Sequence, residues 1–290
     1  MYDLNKHYQS NKKEILKSID KILNKGVLEM GDEVEKFEEN FSKYCGVKYS
    51  VTVSSGSMGL LLALKALNIK DNDEVITVSN SDIPTSHAIS LAGAKIKWID
   101  VCEETLNINT SLIDKNISKK SRVILPVHLF GNPSNMSQIQ LIAKTNNLLV
   151  IEDACLATGA EYNKKKIGSL SDLTVFSTNP GKVLDGIGPG GIITTNNKKL
   201  FVILKKLRDY GRRSRPSKWP VKSDLIGYNS KMSSINASIL NIRLRYLDSY
   251  IEKRNQNALM YMDLLDSKKI KFQKVLDNSK SAWRNFTIRV

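Results

Sequence analysis

The chain has 290 residues, of which 41% are hydrophobic and 25% charged, and its 44 Lys and Arg against 29 Asp and Glu give a formal net charge of +15. This composition is typical of a globular protein with one large core or two modest ones. No apolar run approaches the ~20 residues of a membrane span or opens the sequence as a signal peptide, so we expect a cytoplasmic protein. The basic residues are scattered, which argues against nucleic-acid binding and leaves room for an anionic ligand.

The cysteines and histidines argue against a metal site. Cys45, Cys102 and Cys155 form no CxxC pair, and they indicate small buried side chains in a reducing compartment. The three histidines add no cluster with zinc-ligand spacing. We therefore expect no bound metal.

Apolar periodicity predicts the elements in chain order. Helices are predicted at residues 10–25, 32–45, 58–67, 83–92, 137–145, 199–210 and 234–264, the last as one helix or two. Strands are predicted at 51–53, 74–78, 96–101, 122–127, 148–152, 173–177, 191–195 and 283–290. Strands that are apolar throughout and alternate with helices indicate a mostly parallel sheet covered on both faces. Since nothing follows the last strand, we expect the sequence to stop inside a terminal subdomain.

An acid and a lysine follow neighbouring strands of this predicted sheet. Asp153 ends an apolar run, and Lys182 lies between Ser177 and the glycine pair Gly190-Gly191. Open α/β sheets bind ligands at the carboxyl ends of their strands. A pyridoxal phosphate (PLP) enzyme needs a Lys for the aldehyde, as a Schiff base, an acid for the ring nitrogen and a Ser for the phosphate. Each residue alone also fits an exposed loop or a helix cap, so the prediction depends on the set.

Two further features stand near this set. The turn Ser54-Ser55-Gly56-Ser57 enters a predicted helix, whose first N–H groups suit a phosphate; an ordinary serine cap explains it as well. His128 follows a strand and either lines the same crevice or forms a structural hydrogen bond to the backbone.

Several short blocks follow one another in a characteristic order and spacing from about residue 10 to the end. They are Ser55-Gly56-Ser57, Leu91-Ala92-Gly93-Ala94, Ile99-Asp100-Val101, Pro126-Val127-His128-Leu129-Phe130-Gly131, Ile151-Glu152-Asp153-Ala154, Gly168-Ser169 with Asp172, Phe176-Ser177 with Pro180 and Lys182, Gly190-Gly191, and Gly227-Tyr228-Asn229-Ser230-Lys231-Met232. The ordered set resembles the DegT/DnrJ/EryC1/StrS sugar aminotransferases. The resemblance implies the fold-type-I PLP transferase architecture. It places a large PLP-binding domain of N-terminal helices and α/β sheet at residues 1–235, and the start of a smaller, truncated C-terminal α/β subdomain at 236–290.

The resemblance also implies the role of each site residue. Lys182 would be the Schiff-base lysine and later the proton shuttle to cofactor atom C4′, and Asp153 would pair with the pyridine nitrogen. The phosphate-binding groups would be Ser57, the backbone of Met58, Ser177 and, from the neighbouring subunit of a homodimer with shared sites, Asn229. The family's substrates are nucleotide-linked keto sugars or related cyclic ketones, and glutamate or glutamine gives the amino group.

Three positions depart from the family pattern. Asp82 stands where an aromatic residue usually stacks on the PLP ring, and Leu156 stands where Gln or His usually meets the cofactor face. Leu156 can still pack on the ring as a cofactor-binding residue. Asn179 fills a position that is often aromatic or His. Lys182 favours transamination, because members that dehydrate their substrate replace this Lys with His.

The arginine cluster and two alternative functions stay open. Arg212, Arg213 and Arg215 are candidates for binding the donor carboxylate or the diphosphate, since guanidinium meets either one bidentately. A solvated basic loop is the better explanation for at least two of them. The first alternative function is a non-catalytic family member that binds PLP or a sugar as a regulator. The second is a basic nucleic-acid-binding protein.

Overall fold

The computed structural model describes residues 4–212, 221–266 and 268–290. Within these ranges the helices are α1 (Leu4–Gln9), α2 (Lys12–Lys25), α3 (Asp32–Cys45), α4 (Gly56–Ala66), α5 (Ile83–Leu91), α6 (Ile113–Asn116), α7 (Met136–Thr145), α8 (Lys198–Arg208), α9 (Ser234–Leu244) and α10 (Leu247–Leu264). The strands are β1 (Tyr49–Val53), β2 (Glu74–Val78), β3 (Lys95–Ile99), β4 (Ser121–Ile124), β5 (Leu149–Asp153), β6 (Glu161–Tyr162), β7 (Lys165–Lys166), β8 (Leu173–Ser177), β9 (Gly191–Thr195), β10 (Lys271–Phe272), β11 (Ser279–Lys280) and β12 (Ile288–Arg289).

One seven-stranded sheet forms the centre of the molecule, with strand order β1-β9-β8-β5-β4-β2-β3. Strands β8, β5, β4, β2 and β3 pair in parallel, whereas β9 pairs antiparallel with both β8 and β1. Six strands therefore run in one direction and β9 in the other, which confirms the predicted mostly parallel α/β sheet. The carboxyl ends of those six strands meet at one edge of the sheet.

Burial explains why the strands are apolar throughout. All five residues of β8 and of β9 are buried, and α4 packs on both strands. Helix α4 itself is apolar around most of its circumference, because it also contacts α5 and α8. By contrast α3 is amphipathic: its first turn is acidic, and it buries Phe37 and Phe41 against β1 and α9. Within the described residues, no helix is both long and apolar enough to cross a bilayer.

Most predicted elements lie within two residues of those observed, and the segment 234–264 forms two helices, α9 and α10. The predicted strand at 283–290 is wrong except for its end, where Ile288 and Arg289 pair with β10. Trp283 has a positive φ of 44°, and the N–H of Asn285 donates to the carbonyl of Phe130 at 3.3 Å. Contacts to a distant loop thus replace the strand ladder in this segment.

The last part of the chain packs on earlier elements. Helix α9 packs on α2 and α3, and β11 pairs with β6 in a separate three-stranded sheet. A domain boundary between residues 235 and 236 stays a prediction.

Candidate active site

A cavity of about 360 Å³ opens at the carboxyl edge of the sheet, within the ~300–1,000 Å³ usual for ligand pockets. Its walls come from the segments that follow β1, β2, β4, β5 and β8. The predicted site residues in its lining are Ser57, Asp82, Asp153, Leu156, Ser177, Asn179 and Lys182. Residues far apart in the sequence meet here because parallel strands end at the same edge.

Asp153 is the last residue of β5 and is only 4% exposed. One carboxylate oxygen accepts a hydrogen bond from the Thr85 hydroxyl at 2.7 Å, and the other accepts one from the N–H of Cys155 at 3.1 Å. In the described part of the chain the carboxylate forms no ion pair. Burying a carboxylate without an opposite charge costs free energy of desolvation. The Asp153 carboxylate is therefore suited to bind a cationic ring nitrogen.

Glu152 and His128 lie on the opposite side of β5, since successive strand residues point to opposite faces. Both are fully buried, and His128 Nε2 is 2.9 Å from Glu152 Oε2. His128 Nδ1 accepts the N–H of Ser134 at 3.0 Å, so the ring proton is on Nε2 and is donated to Glu152. Of the two interpretations of His128, the structure supports the structural one, with a carboxylate and a backbone N–H as partners.

Lys182 lies in the loop from β8 to β9 and is partly buried. Its N–H donates to the carbonyl of Asn179 at 3.0 Å, which closes a tight turn. Gly181, inside that turn, has φ of 85°, a conformation that favours glycine. The turn directs Lys182 into the cavity lining.

A buried ion pair holds the far side of the same loop. Arg243 of α9 donates to the backbone carbonyl of Asp185 at 2.6 Å and to its carboxylate at 2.8 Å. Asn236, also on α9, accepts from the N–H of Ile187 at 3.0 Å and donates to the carbonyl of Pro189 at 3.2 Å. These contacts fix the segment between Lys182 and β9 against α9.

The start of α4 forms the wall opposite this loop. Ser55 caps the helix, and its hydroxyl accepts the N–H of Met58 at 3.1 Å. A Cβ on Gly56 would stand 2.9 Å from both Cys155 Sγ and Ser177 Cβ, so only glycine allows this approach. The first N–H groups of a helix have no partner within it, and those of Gly56 and Ser57 adjoin the cavity. The N–H of Met58 already donates to the Ser55 hydroxyl. Phosphate binding by the Met58 backbone stays a prediction.

The residues that depart from the family pattern also border the cavity. Asp82 caps α5, and its carboxylate accepts the N–H of Ile83 at 2.9 Å. Leu156 presents an apolar side chain to the same space, and Asn179 is exposed at its rim. Burial, reinforced by the negative charge of Asp153, raises the pKa of the neighbouring Cys155 thiol well above its usual range. The thiol is therefore a neutral wall of the cavity.

Asn229 and Arg212 are not part of this lining. Asn229 is exposed and forms a β-bridge with Asp209, while the next residue, Ser230, accepts the N–H of Ser54 at 3.1 Å. Arg212 lies 3.6 Å from the Asp209 carboxylate and over the ring of Tyr210, which indicates a structural role in this chain. Arg213 and Arg215 lie outside the described residues.

The residues present fit PLP. Lys182 supplies an amine for the aldehyde, Asp153 a buried carboxylate for the ring nitrogen, and Ser57 and Ser177 hydroxyls beside a helix N-terminus for the phosphate. Two residues that support the site were not predicted: Thr85, the partner of Asp153, and Asp185, the brace of the lysine loop. Both contacts join residues more than fifty positions apart, and no local pattern signals them.

Two relatives resemble nearly the whole chain. One is the dTDP-3-amino-3,6-dideoxy-alpha-D-galactopyranose transaminase of Aneurinibacillus thermoaerophilus, 38% identical over 287 residues, which covers 99% of this chain and 77% of the relative. Another is the pleiotropic regulatory protein of Geobacillus stearothermophilus, 34% identical over 266 residues, covering 92% of this chain and 70% of that protein.

A solved structure extends the similarity to the fold. The crystal structure of S. venezuelae DesV in complex with a ketimine intermediate superposes with a TM-score of 0.95 at 34% identity, over 99% of this chain and 76% of that one. Residues 9–290 match the DegT/DnrJ/EryC1/StrS aminotransferase family, which confirms the resemblance and the predicted fold. The chain therefore belongs to the DegT/DnrJ/EryC1/StrS aminotransferase family.

Proposed function

We propose that this protein transfers an amino group from glutamate or glutamine to a nucleotide-linked keto sugar, or to a related cyclic ketone. The observation that carries the proposal is the convergence of Lys182, Asp153, Ser57 and Ser177 on one cavity. As a member of its family the chain is an aminotransferase, and its cofactor is PLP. When bound, PLP supplies an electrophilic aldehyde and an electron-withdrawing ring.

Lys182 is the residue that we assign to proton transfer. Its amine would first hold the cofactor and then, once released, move a proton to and from the carbon that carries the transferred amino group. The loop geometry supports this assignment, because the tight turn at Gly181 and the brace at Asp185 fix where the amine can reach.

We assign Asp153 and the start of α4 to binding the cofactor rather than to transferring a proton. Asp153 would keep the ring nitrogen protonated through a charge-assisted hydrogen bond. The hydroxyls of Ser57 and Ser177 and the first N–H groups of α4 would hold the phosphate. Leu156 would pack against the ring, and α5, which Asp82 caps, closes another side of the cavity.

A nucleotide sugar is the substrate class that we favour. The transaminase from A. thermoaerophilus is named for a dTDP-linked sugar, and this chain matches 77% of its length. The formal net charge of +15 favours approach of a diphosphate anion. Assays should pair dTDP-, GDP- and UDP-linked keto sugars with glutamate and with glutamine, and amino-sugar formation should be measured for each pair.

We also propose a homodimer in which Asn229 of one subunit completes the site of the other. Two observations support this arrangement: Asn229 is exposed, and it is not among the residues that line its own cavity. Mixing inactive Lys182→Ala subunits with inactive Asn229→Ala subunits tests it. If sites are shared, mixed dimers contain one intact site and regain activity; no recovery, despite exchange, would contradict sharing.

Borohydride trapping tests the core of the proposal. PLP bound to the protein should absorb at about 400–430 nm, and reduction should attach a pyridoxyl group to the peptide that contains Lys182. Lys182→Ala should remove the label, whereas Lys164→Ala, which changes an exposed loop lysine, should retain it. A label on any other residue would overturn the site assignment.

The second candidate function is regulation without catalysis, which the similarity to the G. stearothermophilus regulatory protein supports. Under that function PLP still binds, yet no amino donor changes its absorbance. A shift of the band on adding glutamate or glutamine, followed by amination of a keto sugar, establishes the transaminase. If no amino donor shifts the absorbance band of bound PLP, the protein is the regulator.

A further inference from the structure

Three polar side chains form a continuous hydrogen-bonded chain that ends at Asp153. Ser81 Oγ lies 2.7 Å from Thr85 Oγ1, and Thr85 Oγ1 lies 2.7 Å from Asp153 Oδ2. The ionised carboxylate can only accept, so Thr85 donates its single hydroxyl proton to Asp153. Thr85 must then accept the proton of Ser81. The direction of the chain is thus set from Ser81 toward the carboxylate.

The position of Thr85 is fixed by the start of α5. Thr85 is 2% exposed and stands in the first turn of the helix, where its N–H donates to the carbonyl of Asp82 at 3.2 Å. The Asp82 side chain caps this turn and Pro84 lies within it. The side chain is buried and its hydroxyl has a hydrogen-bond partner on either side, Ser81 and Asp153, so the hydroxyl is held in one place. Asp82 thereby acts on the site through the helix it caps.

Both oxygens of Asp153 are consequently restrained. The Thr85 hydroxyl holds one, and the N–H of Cys155 holds the other at 3.1 Å. Each carboxylate oxygen has a further lone pair that can accept a hydrogen bond from a cationic ring N–H. Removal of the Thr85 hydroxyl would leave the carboxylate able to rotate away from that direction, with one buried oxygen unsatisfied.

We propose that Thr85, backed by Ser81, is a positioning residue that orients the Asp153 carboxylate toward the cofactor's ring nitrogen. The inference rests on the proposed function, because it assumes that PLP occupies the cavity. It predicts an effect on cofactor affinity and on the electronic state of the bound ring, beyond any effect on stability. Thr85→Val removes the hydroxyl at nearly constant shape, and Thr85→Ser restores it.

Thr77 supplies a matched control. It is a fully buried threonine on β2, and its hydroxyl donates to the carbonyl of Leu125 at 2.8 Å rather than to Asp153. Thr77→Val therefore also removes one buried hydroxyl from the same region. Any loss of PLP affinity that follows from removing a buried hydroxyl in general appears in both valine variants. Only a loss that acts through Asp153 is specific to Thr85→Val.

The experiment uses cofactor-free protein of each variant and titrates it with PLP. The Kd for PLP should rise about tenfold or more in Thr85→Val, as expected when a hydrogen bond to a charged group is lost. Thr85→Ser and Thr77→Val should stay within about twofold of the wild type. The pH midpoint of the bound cofactor's absorbance change should move upward in Thr85→Val, because a less firmly protonated ring withdraws fewer electrons from the linkage to Lys182.

The outcomes separate the two proposals. Failure of the wild-type protein to bind PLP overturns the proposed function and, with it, this inference. PLP binding by the wild type, with Thr85→Val equal to Thr77→Val in both Kd and pH midpoint, overturns the inference alone. Should Thr85→Val not fold, Thr85→Ala, which also removes the hydroxyl, takes its place with Thr77→Ala as its control, and equal Kd and pH midpoint in these two variants have the same consequence.

Discussion

Glu152 and Asp153 are neighbouring carboxylates on β5, yet they face opposite sides of the sheet. Glu152 is fully buried, and its oxygens accept hydrogen bonds from Ser171 and Thr174, both at 2.7 Å, as well as from His128 at 2.9 Å. Among the described residues Asp153 has one side-chain donor, Thr85, and it borders a cavity. Three side-chain donors therefore hold Glu152 within the protein, whereas Asp153 retains acceptor capacity for a ligand.

This difference separates a scaffold carboxylate from a binding carboxylate. A buried polar network with all its members paired makes the structure rigid. A buried acid without an ion pair costs free energy unless a ligand supplies the opposite charge. Changes on the Glu152 side should therefore alter stability, and changes on the Asp153 side should alter cofactor binding and activity.

The largest expected effect is on the Asp153 side. Lys182→Ala should lower transamination by about 10²–10⁴-fold or more, because the proton-transferring amine is lost. The free energy of unfolding should change by less than about 0.5 kcal/mol, since the side chain is partly exposed. Steady-state kinetics and urea unfolding measure the two quantities. Normal turnover by this variant would remove Lys182 from the reaction.

Two buried arginine pairs extend the comparison. Asp185→Ala removes the carboxylate partner of Arg243 next to the lysine loop. Glu38→Ala removes the carboxylate partner of Arg208, which also bonds to Thr52 of β1. Each should lower the free energy of unfolding by about 3–5 kcal/mol, because a buried charge is left unpaired. Only Asp185→Ala should also slow borohydride labelling of Lys182. Equal labelling of the two folded variants would show that the brace does not position Lys182.

Glu152→Gln tests the scaffold side directly. The amide retains one acceptor oxygen for three donors, so at least one buried donor loses its partner, and the free energy of unfolding should fall by about 1–3 kcal/mol. The folded fraction should bind PLP with wild-type affinity. Asp153→Asn is expected to show the reverse pattern, with weaker PLP binding and nearly unchanged urea unfolding. The comparison fails if both variants change the same quantity.

The smallest effect concerns Asp248 of α10, a partly exposed carboxylate far from the cavity. Burial works against its ionisation, but hydrogen bonds from Lys166 and Tyr44 outweigh this and lower the pKa of Asp248 below its usual range. A lowered pKa stabilises the fold above the unfolded value of about 3.9, and this contribution is lost as pH falls through the folded pKa. Asp248→Asn should cost at most about 1 kcal/mol near neutral pH.

Unfolding at two pH values checks this last prediction. The difference between the wild type and Asp248→Asn should be present at neutral pH and should be lost as the pH falls through the lowered pKa of Asp248, below which the acid is protonated in both the folded and the unfolded protein. A difference that persists at low pH would mean that the variant disturbs packing rather than charge. PLP binding should be unaffected at either pH.

Much of this molecule could be predicted because its signals are local. Apolar runs located β2, β8 and β9 at their observed bounds, and helical periodicity located α3. Since parallel strands end at one edge, the order of elements also placed Asp153 and Lys182 near the same crevice. The predicted strand at 283–290 failed over most of its length because Trp283 has a positive φ and the N–H of Asn285 bonds to the carbonyl of Phe130.

The sequence by itself therefore determined the alternation of strands and helices, the parallel sheet and the lysine–acid pair at its edge, because each depends on nearby residues. Tertiary structure alone decided which side chains hold the Asp153 carboxylate and the lysine loop in place. Thr85 meets Asp153 across 68 positions, and Arg243 meets Asp185 across 58. Such pairings depend on how packed elements are oriented, which periodicity and spacing do not encode.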